Sequence, residues 1–182
     1  ETDTIPQARE ETYRLVREHT DMVRILFNEG IPWPEAFEDK PYHSNVEREI
    51  NLSLNHLRKD QIVLLEITPI GGSKWRNELD YYWGGDRRME RPGRWKNKDF
   101  DDPEVITAYI NYCRKMIRKF KPKFLTYGVE VNTLARENPP SFKKFVTMAE
   151  QVYETLREEN PKLPLILTIQ IEPFIEDKEK QT

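Results

Sequence analysis

Apolar residues recur at three- and four-residue spacing in four stretches of the chain, a pattern typical of amphipathic helices. Residues 44–47, Ser-x-x-Glu, match a capping box that predicts the start of the second helix, and Asp102 is the predicted N-cap of the third, which has Pro103 in its first turn. The four helices are predicted over residues 4–19, 44–58, 103–120 and 142–159.

Short apolar stretches between and after these helices predict four strands. They cover residues 22–28, 62–68, 124–130 and 165–172. Helices and strands therefore alternate along the chain, and each pair of successive strands is separated by a segment long enough for a crossover connection. This order predicts an α/β fold with a parallel sheet.

Within each predicted strand, one set of alternate residues is uniformly apolar, while the other set becomes polar toward the C-terminal end. Strands covered by helices on both faces would be apolar throughout. The observed alternation instead suits a (β/α)₈ barrel of the TIM type, in which functional groups stand at the C-terminal ends of the strands. The polar residues at or near those ends are Asn28, Glu66, Glu130 and Glu172.

Four strands are too few to close such a barrel, so the sequence predicts a partial one. We expect a single partial β/α-barrel domain over residues 1–176, with a long aromatic loop at 71–101 and a polar tail at 177–182. Either the chain is cut from a longer barrel, or it is a half-barrel that completes itself by associating with another copy.

Composition excludes several classes of function. The 182 residues contain 29 Lys and Arg against 32 Asp and Glu, a net charge of −3 that does not favour nucleic acid as a partner. The sequence contains no apolar run long enough to cross a membrane. It also contains no phosphate-binding glycine motif and no zinc-ligand spacing, and Cys113 is its single cysteine, predicted to be a packed core thiol.

The run from residue 123 to 132, Lys-Phe-Leu-Thr-Tyr-Gly-Val-Glu-Val-Asn, resembles the fourth strand of the clan A glycoside hydrolases. It is most similar to the endo-β-1,4-galactanase-like family, in which Gly-Asn-Glu ends that strand. Residues 27–33, the helix from Asp102-Pro103 to 120–122, and the segment 139–164 support the same resemblance. Together these stretches cover most of the chain and correspond to about strands two to five of the barrel.

The resemblance implies retaining cleavage of a β-linked polysaccharide, with Glu130 as general acid/base and no metal or organic cofactor. It also implies a nucleophilic glutamate on strand seven, which this chain does not reach. Val129 stands where the family has an asparagine that contacts the sugar, so either activity is weakened or Asn132 or another residue takes over that contact. Glu66 is expected to position Glu130 or to bind Arg24. Enzymes of this type are commonly exported, which predicts a secreted or periplasmic protein.

Aromatic and polar residues near the strand ends are the candidates for carbohydrate binding, because flat rings stack on sugar faces. The predicted substrate-binding residues are Asn28, Trp33, Glu66, Trp75, Trp83, Asn132 and Glu172. Two other interpretations stay open. The tryptophans could anchor the long loop rather than bind sugar, and the protein could be a glycan-binding barrel without catalysis or a self-associating half-barrel.

Overall fold

The structure is a computed structural model that describes residues 4–72 and 76–172, apart from the side chains of residues 4–6. Its helices are α1 Thr4–His19, α2 Trp33–Phe37, α3 Ser44–Asn55, α4 Pro103–Phe120, α5 Val131–Glu137 and α6 Pro139–Glu159, with a 3₁₀ helix at Gly93–Asn97. Its strands are β1 Met22–Phe27, β2 Ile62–Ile67, β3 Ile70–Gly71, β4 Glu78–Leu79, β5 Phe124–Gly128 and β6 Leu165–Leu167.

Four of these strands form one parallel sheet in the order β1-β2-β5-β6. In register, Leu26 lies beside Glu66 and Glu66 lies beside Thr126, so one row of side chains crosses three strands. The two short strands β3 and β4 pair antiparallel in a separate hairpin that follows β2. The predicted α/β fold, with four parallel strands alternating with helices, is confirmed.

The main core lies between the helices and the apolar face of the sheet. Leu65 and Leu125 point to this side from the two central strands and are fully buried. The long helix α4 covers them with its apolar stripe, including Tyr109, Cys113 and Met116. Burial raises the pKa of the Cys113 thiol above its ordinary range, as expected for a packed core thiol.

The last two strands are shorter than predicted. The ladder between β5 and β6 shifts register between Thr126 and Gly128, and a Cβ at Gly128 would lie 2.7 Å from the Leu167 side chain. Beyond Leu167, the Thr168 N–H still donates to the Gly128 carbonyl of β5, but the other bonds of Thr168 and Gln170 go to Glu130 and to α5. Alternation of apolar residues therefore continues after the strand itself has ended.

The apolar residues of this last segment are exposed. Leu167 is 41% exposed, Ile169 58% and Ile171 61%. We predicted that they face a helical layer, which is wrong within the described residues, because no described helix covers them. The result is an apolar row beside the free edge of β6.

Two short helices and the ordering of the long loop were not predicted. Helix α2 packs against α4, and the loop after β2 contributes Trp83, Trp95 and Phe100 to the core. An aromatic cluster of this size gives a long connection enough buried apolar surface to hold one conformation. The loop is therefore part of the core rather than a loose cover.

Helix caps explain where two of the helices start. Asp102 accepts a hydrogen bond from the Glu104 N–H at 2.9 Å, which confirms it as the N-cap of α4. For α3 the capping-box prediction is wrong, because His43 takes the N-cap position and its Nδ1 accepts from the Asn45 N–H.

Replacing Asp102 with alanine is expected to lower the free energy of unfolding by about 1 kcal/mol, since it leaves an N–H at the start of α4 without a partner. Urea unfolding of both proteins measures this difference. Asp102 also pairs with Lys98 at 2.7 Å, so Asp102→Asn serves as the control that keeps the cap and removes the charge. Equal destabilisation by both variants would assign the effect to the ion pair instead.

Candidate active site

Glu130 lies directly after β5, where the chain leaves the sheet and turns into α5. Its backbone is left-handed, with φ 54° and ψ 44°, a conformation that costs energy for a residue with a side chain. Hydrogen bonds to Thr168 hold it: the Glu130 N–H donates to Thr168 Oγ1 and the Val131 N–H donates to the Thr168 carbonyl, both at 3.0 Å. The backbone around this glutamate is thus fixed from the neighbouring strand.

The Glu130 carboxylate is fixed by an arginine from the loop after β3. Arg76 Nε donates to Glu130 Oε2 at 2.7 Å, and Arg76 Nη1 donates to the Ile70 carbonyl at 3.3 Å. The guanidinium is almost fully buried, whereas the Glu130 side chain keeps 28% of its surface exposed. This arrangement presents an oriented carboxylate to solvent at the C-terminal edge of the sheet.

A cavity of about 50 Å³ adjoins this ion pair. It opens between the end of β1 and the β3–β4 hairpin. Its lining is Asn28, Ile70, Gly71, Gly72, Arg76, Asp80, Tyr81 and Arg88. Asn28 and Arg76 both line this cavity, and Arg76 links the cavity to Glu130.

The cavity contains a buried acid that sequence reasoning missed. Asp80 is 3% exposed, and desolvation raises the pKa of its carboxyl to about 7 in spite of the Tyr81 N–H bond and the positive charges of Arg76, Arg88 and Arg91. Gly71 makes room for it, because a Cβ there would lie 1.8 Å from Asp80 Oδ1. The Gly71-Gly72 pair just after a strand was the available sequence signal for a close approach.

Glu66 is buried on the sheet face opposite the main core and is paired with Arg24 of the neighbouring strand. The alternative in which Glu66 binds Arg24 is the one that the structure shows. Thr126 stands beside Glu66 in register, and its buried hydroxyl has no hydrogen-bond partner among the described residues. Since the Glu66 side chain is covered, it does not offer a free carboxylate to a ligand.

The two described tryptophans predicted to bind sugar are core residues, which corrects that prediction. Trp33 is fully buried and Trp83 is 1% exposed, so neither ring has a face open to a ligand. The Trp33 indole N–H donates to the backbone carbonyls of Asp80 and Tyr81 at 3.1 Å. Their role is to anchor the loop that carries Asp80. Trp75 lies outside the described residues.

Two further candidates do not reach the cavity. The Asn132 amide donates to the Gln170 carbonyl and accepts from the Gln170 N–H, so both ends of its side chain are occupied. Glu172 is exposed at the end of the last described segment and does not line the cavity. Of the predicted residues, Asn28 lines the cavity and Glu130 is linked to it through Arg76, whereas Asn132 and Glu172 are not among its lining residues.

Over residues 4–72 and 76–172, no group of three or more His, Cys, Asp or Glu side chains is arranged to hold a metal ion. Among the described helices, none has both the length and the apolar character needed to cross a membrane.

Comparison with protein-family models, with curated proteins and with solved structures finds no significant match. The resemblance to the galactanase-like family therefore stays a prediction from the sequence, and the assignment of function depends on the geometry of the site.

Proposed function

We propose that this chain forms part of a (β/α)₈ glycoside hydrolase that cleaves a β-linked polysaccharide with retention, with Glu130 as general acid/base. One observation carries the proposal: Glu130 follows a parallel strand in a left-handed conformation, and Arg76 orients its partly exposed carboxylate. Functional groups of β/α barrels stand at this edge of the sheet. Strained backbone that its neighbours hold in place is typical of active sites.

Retaining hydrolysis needs a second carboxylate about 5–5.5 Å from the first, to attack the anomeric carbon. Glu66 does not suit this role, because it is buried and paired with Arg24. We assign the nucleophile to a strand beyond the four described here. The contact to the sugar hydroxyl goes to Asn28, since Val129 is buried and the Asn132 amide is bonded to Gln170.

The test is hydrolysis and binding of β-linked glycans by the protein expressed from its complete reading frame. A panel of β-1,4-galactan, β-glucan, xylan and mannan is assayed for released reducing ends and for binding by calorimetry. We expect one glycan to be cleaved by the wild type and to be bound but not cleaved by Glu130→Gln. Binding without cleavage by either protein would favour a non-catalytic glycan-binding barrel. No binding to any of the four would contradict the proposal.

A specific observation favours self-association as the second candidate. The apolar row at Leu167, Ile169 and Ile171 is uncovered beside the free edge of β6. At the other edge of the sheet, α1 and β1 border a groove of about 200 Å³. Its lining combines apolar residues such as Tyr13 and Val16 with polar residues such as Arg24. A second copy could place its β1 edge and α1 over the apolar row, continuing the parallel order of strands.

If this is correct, light scattering of the 182-residue chain gives twice the 21.8 kDa of one copy. Ile171→Lys, which puts a charge in the apolar row, is then expected to give monomers. Glu150→Lys, an exposed change on α6, is the control and is expected to leave the mass unchanged. A well-folded monomeric wild type would exclude this candidate.

A further inference from the structure

The end of β5 is not held by the sheet ladder alone. The ladder to β6 shifts register between Thr126 and Gly128. The carbonyl of Tyr127, which lies at this shift, accepts a hydrogen bond from the Tyr109 hydroxyl of α4 at 2.8 Å. An irregularity of this kind re-aims the side chains that follow it and interrupts the regular bonding of the strand. The residues after Gly128 therefore depend on side chains of neighbouring elements for their position.

Two threonines give that support, one from each side of β5. The strand order places β5 between β2 and β6, and Thr68 follows β2 as Thr168 follows β6. Thr68 Oγ1 accepts a hydrogen bond from the Val129 N–H at 3.3 Å. Thr168 Oγ1 accepts one from the Glu130 N–H at 3.0 Å. Successive N–H groups on the turn into α5 are thus bonded to opposite neighbours.

Thr68 also fixes the start of the hairpin on its own side. Its Oγ1 accepts from the Ile70 N–H at 3.2 Å, a local turn in which the hydroxyl oxygen binds the N–H two residues further on. A threonine hydroxyl offers two acceptor positions, and the Ile70 and Val129 N–H groups use both of them. Because Thr68 is only 1% exposed, solvent does not take the place of this oxygen. One buried atom therefore joins the β3–β4 hairpin to the turn that carries Glu130.

The hairpin and the turn also meet at the Arg76–Glu130 ion pair. Arg76 donates to the Ile70 carbonyl at 3.3 Å and to Glu130 Oε2 at 2.7 Å. Ile70 is thus bonded through its N–H to Thr68 and through its carbonyl to the arginine that contacts Glu130. A shift of the hairpin against the turn would change the position of the Glu130 carboxylate.

We propose that Thr68 is a positioning residue for Glu130, whose left-handed turn its hydroxyl oxygen holds at a fixed distance from the β3–β4 hairpin. Thr68 is buried, so it acts through the backbone rather than on a substrate. Its catalytic meaning rests on the proposed function, whereas the two hydrogen bonds do not. A misplacement of about 1 Å at a reacting group can lower a rate by about 10²-fold.

Hydrogen exchange followed by NMR tests the two bonds. In the wild type we expect the Ile70 and Val129 N–H groups to be protected. Thr68→Val keeps the shape of the side chain and removes the oxygen, so both groups should exchange about tenfold faster relative to the N–H of Leu125, which binds the Pro164 carbonyl. Thr68→Ser keeps the oxygen and should exchange as the wild type does. Rapid exchange of the Val129 N–H in the wild type would overturn the proposal, whether or not the variants fold.

Two substrates separate a positioning role from a loss of folded protein. Thr68→Val should cleave the glycan about 10²-fold more slowly. It should keep the burst of phenolate from a dinitrophenyl glycoside of the same sugar, because that leaving group needs no acid. Thr68→Ser should restore glycan cleavage, and Thr107→Val, the same change at an exposed position on α4, should match the wild type on both substrates. Equal losses on both substrates by Thr68→Val would contradict the proposal.

The combined results separate this proposal from the proposed function. If no protein hydrolyses any glycan or aryl glycoside while the exchange differences are present, the proposed function fails and Thr68 still holds the turn. If the wild type hydrolyses a glycan and Thr68→Val does so at the same rate, the proposed function stands and the positioning role fails.

Discussion

Replacing Glu130 with glutamine is expected to slow cleavage of the glycan by about 10²–10⁴-fold, the usual contribution of a general acid. The amide cannot donate a proton to the departing sugar oxygen, which is a poor leaving group. A dinitrophenyl glycoside of the same sugar does not need this proton, because the phenolate leaves unassisted. On that substrate the variant should give a burst of phenolate stoichiometric with enzyme, followed by slow turnover, since the base for the second step is also lost.

The matched control is Glu137→Gln at the other end of α5, where the carboxylate is exposed and paired with Arg136. It makes the same chemical change on the same helix and should keep wild-type rates on both substrates. Equal losses on glycan and aryl glycoside by Glu130→Gln, without a burst, would argue that Glu130 is structural rather than an acid.

Asp80 is expected to make the protein less stable as the pH rises from about 4 to about 7. Its folded-state pKa of about 7 lies above the 3.8 of an ordinary aspartate, so the folded state holds the proton more tightly than the unfolded state. This contribution to the free energy of unfolding is complete below the pKa that Asp80 has in the unfolded state. It is lost as the pH rises through the pKa that Asp80 has in the folded state. The full difference corresponds to about 4 kcal/mol.

Urea unfolding at several pH values measures this effect. The free energy of unfolding of the wild type should fall relative to that of Asp80→Asn by up to about 4 kcal/mol between pH 4 and 8, while Asp86→Asn, an exposed change in the same loop, should follow the wild type. The ion pairs of Asp102 and Glu159 lower the pKa values of these two carboxyls. Their contribution to the free energy of unfolding is therefore lost in more acidic solution, below the pH range in which Asp80 acts. Parallel curves for the wild type and Asp80→Asn would mean that the Asp80 carboxyl is not desolvated in the folded state.

The sheet could be predicted from the sequence because its signals are local. The alternation of apolar residues in β1 and β2 and the apolar stripe of α4 each lie within one element, so they predict these elements directly. The order of strands and helices along the chain then predicts a parallel sheet. The predicted end of β6 is wrong because that prediction also relied on a local pattern. Alternation persists through Ile169 and Ile171, but the hydrogen bonds of that segment go to α5, and no local pattern reports a partner on another element.

Part of the candidate site was named from the sequence. Glu130 and Asn28 were predicted because both follow strands, and parallel strands bring their ends to one edge. Arg76 was missed because the residue it binds is 54 positions away and no spacing rule links them. For Trp33 and Trp83 the sequence left sugar binding and anchoring of the loop both open, because a tryptophan ring suits a sugar and a core equally well. The deciding contact was the Trp33 indole bond to loop carbonyls, which only the fold creates.

The hydrogen bonds between α5 and the segment after β6 limit how far the chain can be shortened on its C-terminal side. Thr168 and Gln170 together bind the Glu130 and Val131 N–H groups and both ends of the Asn132 amide. Trimming the chain at the last residue of β6 would remove the bond from the Thr168 N–H to the Gly128 carbonyl of β5, and it would release the turn that carries the candidate acid. Any shortened version intended for crystallisation must therefore extend through Gln170.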